Sequence, residues 1–117
     1  MSTTEIAAPM AARPGVPPPE DGLVHLRLRG PLTASTAPTF RRVIRSYAET
    51  GEPRLLLDLE DVPAIDASGV AALLEGQRAI EGQPHGVLFL RLNPTVSSAL
   101  KRSSTIAAFR VWRGPAV

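Results

Sequence analysis

Three observations predict a single α/β domain: a small, mixed but mainly parallel sheet of about four strands packed with three to four helices. Residues 55–59 and 87–92 are short, nearly continuous apolar runs, the pattern of strands buried on both faces. Around them lie stretches whose apolar residues recur at helical spacing. Residues 23–29 alternate instead, with Val24, Leu26 and Leu28 facing one way and His25, Arg27 and Arg29 the other. Strands joined by helices pair in parallel through right-handed crossovers.

Taken in order, residues 1–21 hold five prolines and many small residues, and predict a disordered or loosely attached arm in which only residues 4–8 suit a short strand. Residues 22–113 predict the domain, and residues 114–117 a tail. The alternating run 23–29 predicts an edge or antiparallel strand, with His25 toward solvent. Residues 30–36 form a loop that offers Thr33, Ser35 or Thr36 as a helix cap. Pro38 suits a first helical turn. Phe40, Val43, Ile44, Tyr47 and Ala48 then make a full apolar helix face, which Gly51 ends.

The acids and the proline after residues 55–59 favour strand over helix there. Beyond Ser68, the residues Val70, Leu73, Leu74 and Ile80 share a helical face, with Gln77 as its polar exception and Gly82 as the stop. Residues 83–86 make a turn into the second buried strand. Asn93 and Pro94 are a good cap and first helical residue for a third helix bearing Val96, Ala99 and Leu100. Residues 109–112 predict a last short strand or irregular packing. In such sheets, sites gather outside the carboxyl ends of the strands, so loops 33–36 and 58–68 are expected at one end of the domain.

Composition narrows the function classes. A chain of 117 residues has room for one core. No apolar run approaches the roughly 20 residues of a membrane span. The first residues have no basic region followed by an apolar core, so no secretory leader is expected. The absence of cysteine excludes disulfides and thiolate chemistry, and cytoplasm is the expected compartment. Charge is uneven. Residues 49–81 carry eight acids and two bases, whereas residues 91–117 carry five bases and no acid. Such asymmetry can steer a partner. The bases are spread out, with only Phe109 and Trp112 near them and no nucleic-acid motif, so a solvated face is the expectation rather than RNA or DNA binding.

The chemistry-bearing residues are Asp58, Asp66 and Ser68. The order Asp66-Ala67-Ser68-Gly69 before an amphipathic stretch puts a hydroxyl on a first helical turn beside a carboxylate. A helix start tolerates an added phosphate best. As a nucleophile Ser68 lacks a nearby base and a Gly-x-Ser-x-Gly elbow. Asp58, Glu60, Asp61 and Asp66 fit no calcium loop, and no phosphate-binding Gly-x-x-x-x-Gly-Lys occurs. Read structurally, Asp66 caps the helix, Asp58 ties down the loop after its strand and Ser68 is an indifferent first-turn residue. Gly69 costs about 1 kcal/mol against alanine in a helix, which suggests that something approaches its backbone closely.

Residues 30–37 (Gly-Pro-Leu-Thr-Ala-Ser-Thr-Ala), 55–74 and 86–100 resemble the first loop, the phosphoacceptor strand–loop–helix and the later strand–helix unit of the STAS domain family. The resemblance implies an anti-sigma factor antagonist. Unphosphorylated, such a protein binds an anti-sigma factor that is also a serine kinase, and so frees a sigma factor. It implies Ser68 as phosphoacceptor, with Asp66, Ala67, Gly69, Thr33, Ser35 and Asp58 flanking it or meeting the partner. ATP belongs to the kinase, and a serine phosphatase would reset the switch. The chain itself is expected to need no cofactor, to be no enzyme, and to be a monomer or weak dimer. Pro31 and Thr33 stand where many antagonists carry Glu and Asp. A second reading is a STAS subunit with a structural or sensing role in a lipid-transport or stress-sensing assembly. A third is a sensor of a small ligand or nucleotide at the same strand-end surface.

Overall fold

The computed structural model describes residues 3–6, 23–51 and 53–113. A five-stranded sheet runs in the order β1 (Thr3–Ile6), β2 (Val24–Leu28), β3 (Arg54–Asp58), β4 (Val87–Arg91) and β5 (Arg110–Val111). Every pairing is parallel. The helices are α1 (Ala37–Ala48), α2 (Ala67–Glu81) and α3 (Pro94–Arg102), with a 3-10 turn at Ile106–Ala108. The α/β expectation holds. The sheet differs from it in being uniformly parallel rather than mixed, with four strands of four or five residues and a two-residue fifth.

Two expectations are corrected at the amino end. Thr3–Ile6 is a strand, not part of a loose arm. It pairs with β2 in the register Thr3↔His25 to Ile6↔Leu28, and so satisfies backbone groups that β2 would otherwise leave open. The strand suited to residues 4–8 thus lies slightly earlier. The remainder of the expected arm and the tail 114–117 lie outside the described residues. Second, β2 is neither an edge nor antiparallel, since it sits between β1 and β3. His25 is 2% exposed rather than on a solvent side. It shares a sheet face with Leu56 and Phe89, and Leu56 on that face is fully buried. The alternation of residues 23–29 therefore separates an apolar face from a polar one that is buried at His25, half-buried at Arg27 and exposed at Arg29.

The core lies where α1 and α2 pack on the sheet face bearing Leu26, Leu28, Leu55, Leu57, Leu88 and Leu90. Phe40 and Ile44 of α1 and Leu73 and Ile80 of α2 fill it. Val96 and Leu100 of α3 close its end. The helix ends follow the sequence signals. Pro38 lies in the first turn of α1, and Gly51 takes φ 108° just beyond it. The side chain of Asn93 accepts from the amide of Val96 at 2.8 Å to cap α3. Gln77, the polar exception on α2, donates to the carbonyl of Ala108 and so holds the 3-10 turn. Glu81 at the end of α2 accepts from the amide of Leu88 at 3.3 Å and from Arg110 at 2.9 Å, joining α2 to β4 and β5.

Candidate functional site

The loops after β2 and β3 meet at the carboxyl end of the sheet, as the topology requires. Leu32 and Ile65 form a parallel bridge. Its hydrogen bonds run from the amide of Leu32 to the carbonyl of Ala64 at 2.9 Å, and from the amide of Asp66 to the carbonyl of Leu32 at 3.3 Å. The first loop is thus stitched to the residues that lead into α2.

Gly69 explains why the stitch is so close. A Cβ built on it would lie 2.1 Å from the carbonyl oxygen of Leu32 and 2.8 Å from Cγ1 of Ile65. The approach that its sequence position suggested is made by the first loop of the same chain. No larger residue fits unless that backbone moves.

Asp66 caps α2, and its two oxygens serve two loops. Oδ1 accepts from the amide of Gly69 at 2.9 Å. Oδ2 accepts from the amide of Ala34 at 3.1 Å, across 32 positions of sequence. The amide of Gly69 foremost, helped by those of Ala34 and Ser68, holds the Asp66 carboxyl below its ordinary value of 3.8, against a smaller opposing effect of desolvation. Asp66 is ionised at neutral pH and acts only as an acceptor there.

Ser68 is the second residue of α2 and half-buried, while Asp66 and Ala67 beside it are exposed. The start of α2 is tied through Asp66 to loop 33–36, where Ala34 and Ser35 are exposed. In that loop Thr33 Oγ1 and Ser35 Oγ are 3.1 Å apart. Thr36 Oγ1 accepts from the amide of Thr33 at 3.0 Å and donates to the carbonyl of Pro31 at 2.8 Å. Thr36 is the residue before α1, yet its hydroxyl organises the loop rather than capping the helix. The structure therefore brings together Thr33, Ser35, Asp66, Ala67, Ser68 and Gly69. Leu32 and Ala34 join them through backbone atoms, which carry no side-chain signal in a sequence.

Asp58 stands apart from this group. It is 4% exposed at the end of β3, with Arg27 of β2 and Arg91 of β4 in register beside it. Its Oδ2 lies 3.1 Å from Nη1 of Arg91 and 3.6 Å from Nη2 of Arg27. Oδ1 accepts from the amide of Glu60 at 2.9 Å, so Asp58 does tie down the loop that follows it. Glu60 pairs with Arg91 at 3.0 Å, and Asp61 lies 3.9 Å from Arg27. These acids serve the sheet's own arginines. Among the described residues no cluster of three or more His, Asp or Glu is arranged to hold a metal. No helix among them is long and apolar enough to cross a membrane.

The fold is shared with solved structures of other proteins. A sulfate transporter family protein from Wolinella succinogenes superposes with TM-score 0.67 at 29% identity, over 82% of this chain and 80% of that one. A candidate anti-sigma factor antagonist from Thermotoga maritima superposes with TM-score 0.72 at 20% identity, over 84% of each chain. The anti-sigma factor antagonist SpoIIAA in its unphosphorylated form gives TM-score 0.59 at 20% identity, over 80% of this chain and 81% of that one. No curated protein matches the chain. The STAS domain family matches residues 16–113, a span that holds both stitched loops, α2 and the later strand–helix unit, and the chain belongs to that family.

Proposed function

We propose that this chain is an anti-sigma factor antagonist without enzymatic activity of its own. Unphosphorylated, it docks on an anti-sigma factor with serine-kinase activity through the start of α2 and loop 33–36. The observation that carries the reading is the placement of Ser68. It is a hydroxyl on the first turn of α2, next to a carboxylate that fixes both loops at once.

In the proposed switch the Ser68 oxygen attacks the γ-phosphorus of the kinase's ATP, ADP leaves, and the hydroxyl proton passes to a base on the kinase. The product adds about −1.5 to −2 charges beside Asp66. Facing an acid on the partner's docking surface, two unit charges about 4 Å apart repel by roughly 4 kcal/mol at an effective dielectric near 20, and screening reduces this at a surface. A residual of about 2.8 kcal/mol suffices for a hundredfold loss of affinity. Bulk and charge on the docking rim are enough, with no refolding of the domain.

Affinity capture from the native cell extract tests this, with wild type, Ser68→Ala and Ser68→Asp as parallel baits. The expected result is that wild type and Ser68→Ala retain an ATP-binding protein that Ser68→Asp releases. That protein should transfer phosphate to wild type and not to Ser68→Ala. A second reading, a STAS subunit held constitutively in a lipid-transport or stress-sensing assembly, is favoured by the first loop, where Pro31 and Thr33 supply no carboxylate. Retention of one non-kinase complex by all three baits would establish that reading instead.

A further inference from the structure

We infer that the groove between α3, the 3-10 turn and the residues after β5 binds a small organic anion with an apolar body, at a site separate from Ser68. The groove has a volume of about 520 Å³ and opens at the carboxyl end of β4, where Leu92 leaves the sheet. Sites for small molecules commonly span about 300–1,000 Å³, and strand carboxyl ends are where α/β sheets place them.

The walls decide the chemistry. Leu92, Ile106 and Trp112 give an apolar lining. The Trp112 ring meets Phe89 edge to face, with centroids 5.4 Å apart and planes at 76°, which fixes the ring's orientation. Lys101 of α3 and Arg113 after β5 also line the groove, and no acid does. Neither cation is ion-paired to an acid among the described residues. Ser97 lies four residues before Lys101 and so on the same helix face, adding a hydroxyl beside the ammonium. Asn93 contributes nothing further, since its side chain is spent on the amide of Val96 and the carbonyls of Glu60 and Val62. Two uncompensated cations over an apolar floor select a ligand with an acidic head, such as a sulfonate, carboxylate or phosphate, on an aromatic or aliphatic body.

The test uses the full chain and two dyes of the same shape. One is 8-anilinonaphthalene-1-sulfonate, an aromatic anion; the other is N-phenyl-1-naphthylamine, its neutral counterpart. Trp112 is the only tryptophan, so quenching of its emission reports occupancy of this groove. The expected result is saturable one-to-one binding of the sulfonate with quenching of Trp112, and neutral-dye binding at least about fivefold weaker. Lys101→Glu and Arg113→Glu each change an exposed side chain, and each should weaken sulfonate binding by about fivefold or more while leaving the thermal melt unchanged. Ser68→Asp should bind the sulfonate like wild type. The proposal is overturned if the neutral dye binds as tightly, if both charge reversals leave the affinity unchanged, or if Ser68→Asp abolishes binding, which would put the anion at the switch rim.

Discussion

At the scale of single residues, Asp66 and Gly69 set the position of Ser68. Asp66 holds two backbone amides from different loops, and Gly69 lets the Leu32 carbonyl lie against the first turn of α2. Removing the carboxylate in Asp66→Ala should destabilise the fold and speed hydrogen exchange at the amides of Ala34 and Gly69 more than elsewhere. Because the folded state depresses the Asp66 carboxyl, that state binds fewer protons than the unfolded chain near and just below 3.8. The contribution of Asp66 is therefore complete above its ordinary value and is lost as pH falls through the lower, folded one. The stability difference between wild type and Asp66→Ala should shrink correspondingly in acid, as read by denaturant titrations across that range. Gly69→Ala gains up to about 1 kcal/mol of helix propensity. It also forces a methyl into the Leu32 carbonyl, an overpacking that costs about 1–3 kcal/mol. Net destabilisation is expected, whereas Ala67→Gly, at an exposed position, should cost only the propensity term.

At the scale of elements, helix punctuation was legible because each signal acts locally. Asn93 before Pro94, Asp66 before α2 and Gly51 after α1 all serve where the sequence put them. The parallel sense of the sheet was legible too, but the place of β2 in it was not, because that depends on a partner distant in the chain. The alternation around His25 reads as an edge strand when β2 is considered alone. It becomes an inner strand only once Thr3–Ile6 pairs on its far side. The spacing of the acids after β3 already argues against a metal site, but only the register shows that Arg27 and Arg91 stand to either side of Asp58. Within the candidate site, Ser68, Asp66 and the meeting of the two loops could be read beforehand. The Leu32 carbonyl and the Ala34 amide could not, since any residue supplies them. Asn93 shows how much one cap can join. It caps α3 and also donates to the carbonyls of Glu60 at 3.0 Å and Val62 at 2.8 Å. Asn93→Ala should therefore cost about 2–3 kcal/mol, more than a simple cap, in a urea titration. Asn93→Ser, which keeps the cap and loses the bridge, should fall between it and wild type.

At the scale of the whole molecule, the parallel order of the sheet places the described loops after β2, β3 and β4 at one end. The loops around Ser68 follow β2 and β3, and the basic groove follows β4 and β5. Acids gather in residues 49–81 and bases in residues 91–117; Arg91 and Arg110 pair across this division with Asp58, Glu60 and Glu81, which leaves Lys101 and Arg113 as the cations of the groove. A phosphate on Ser68 would deepen this division without altering the core, because Ser68 lies outside the packed cluster of leucines. Repulsion there then acts on a partner rather than on the fold. The most direct measurement is the affinity of the captured kinase for wild type, Ser68→Ala and enzymatically phosphorylated wild type, by titration calorimetry at fixed salt. Wild type and Ser68→Ala should bind alike, and the phosphorylated form about a hundredfold more weakly. Equal affinity of all three forms would contradict the assignment of Ser68 as the control point and leave it a helix-start residue.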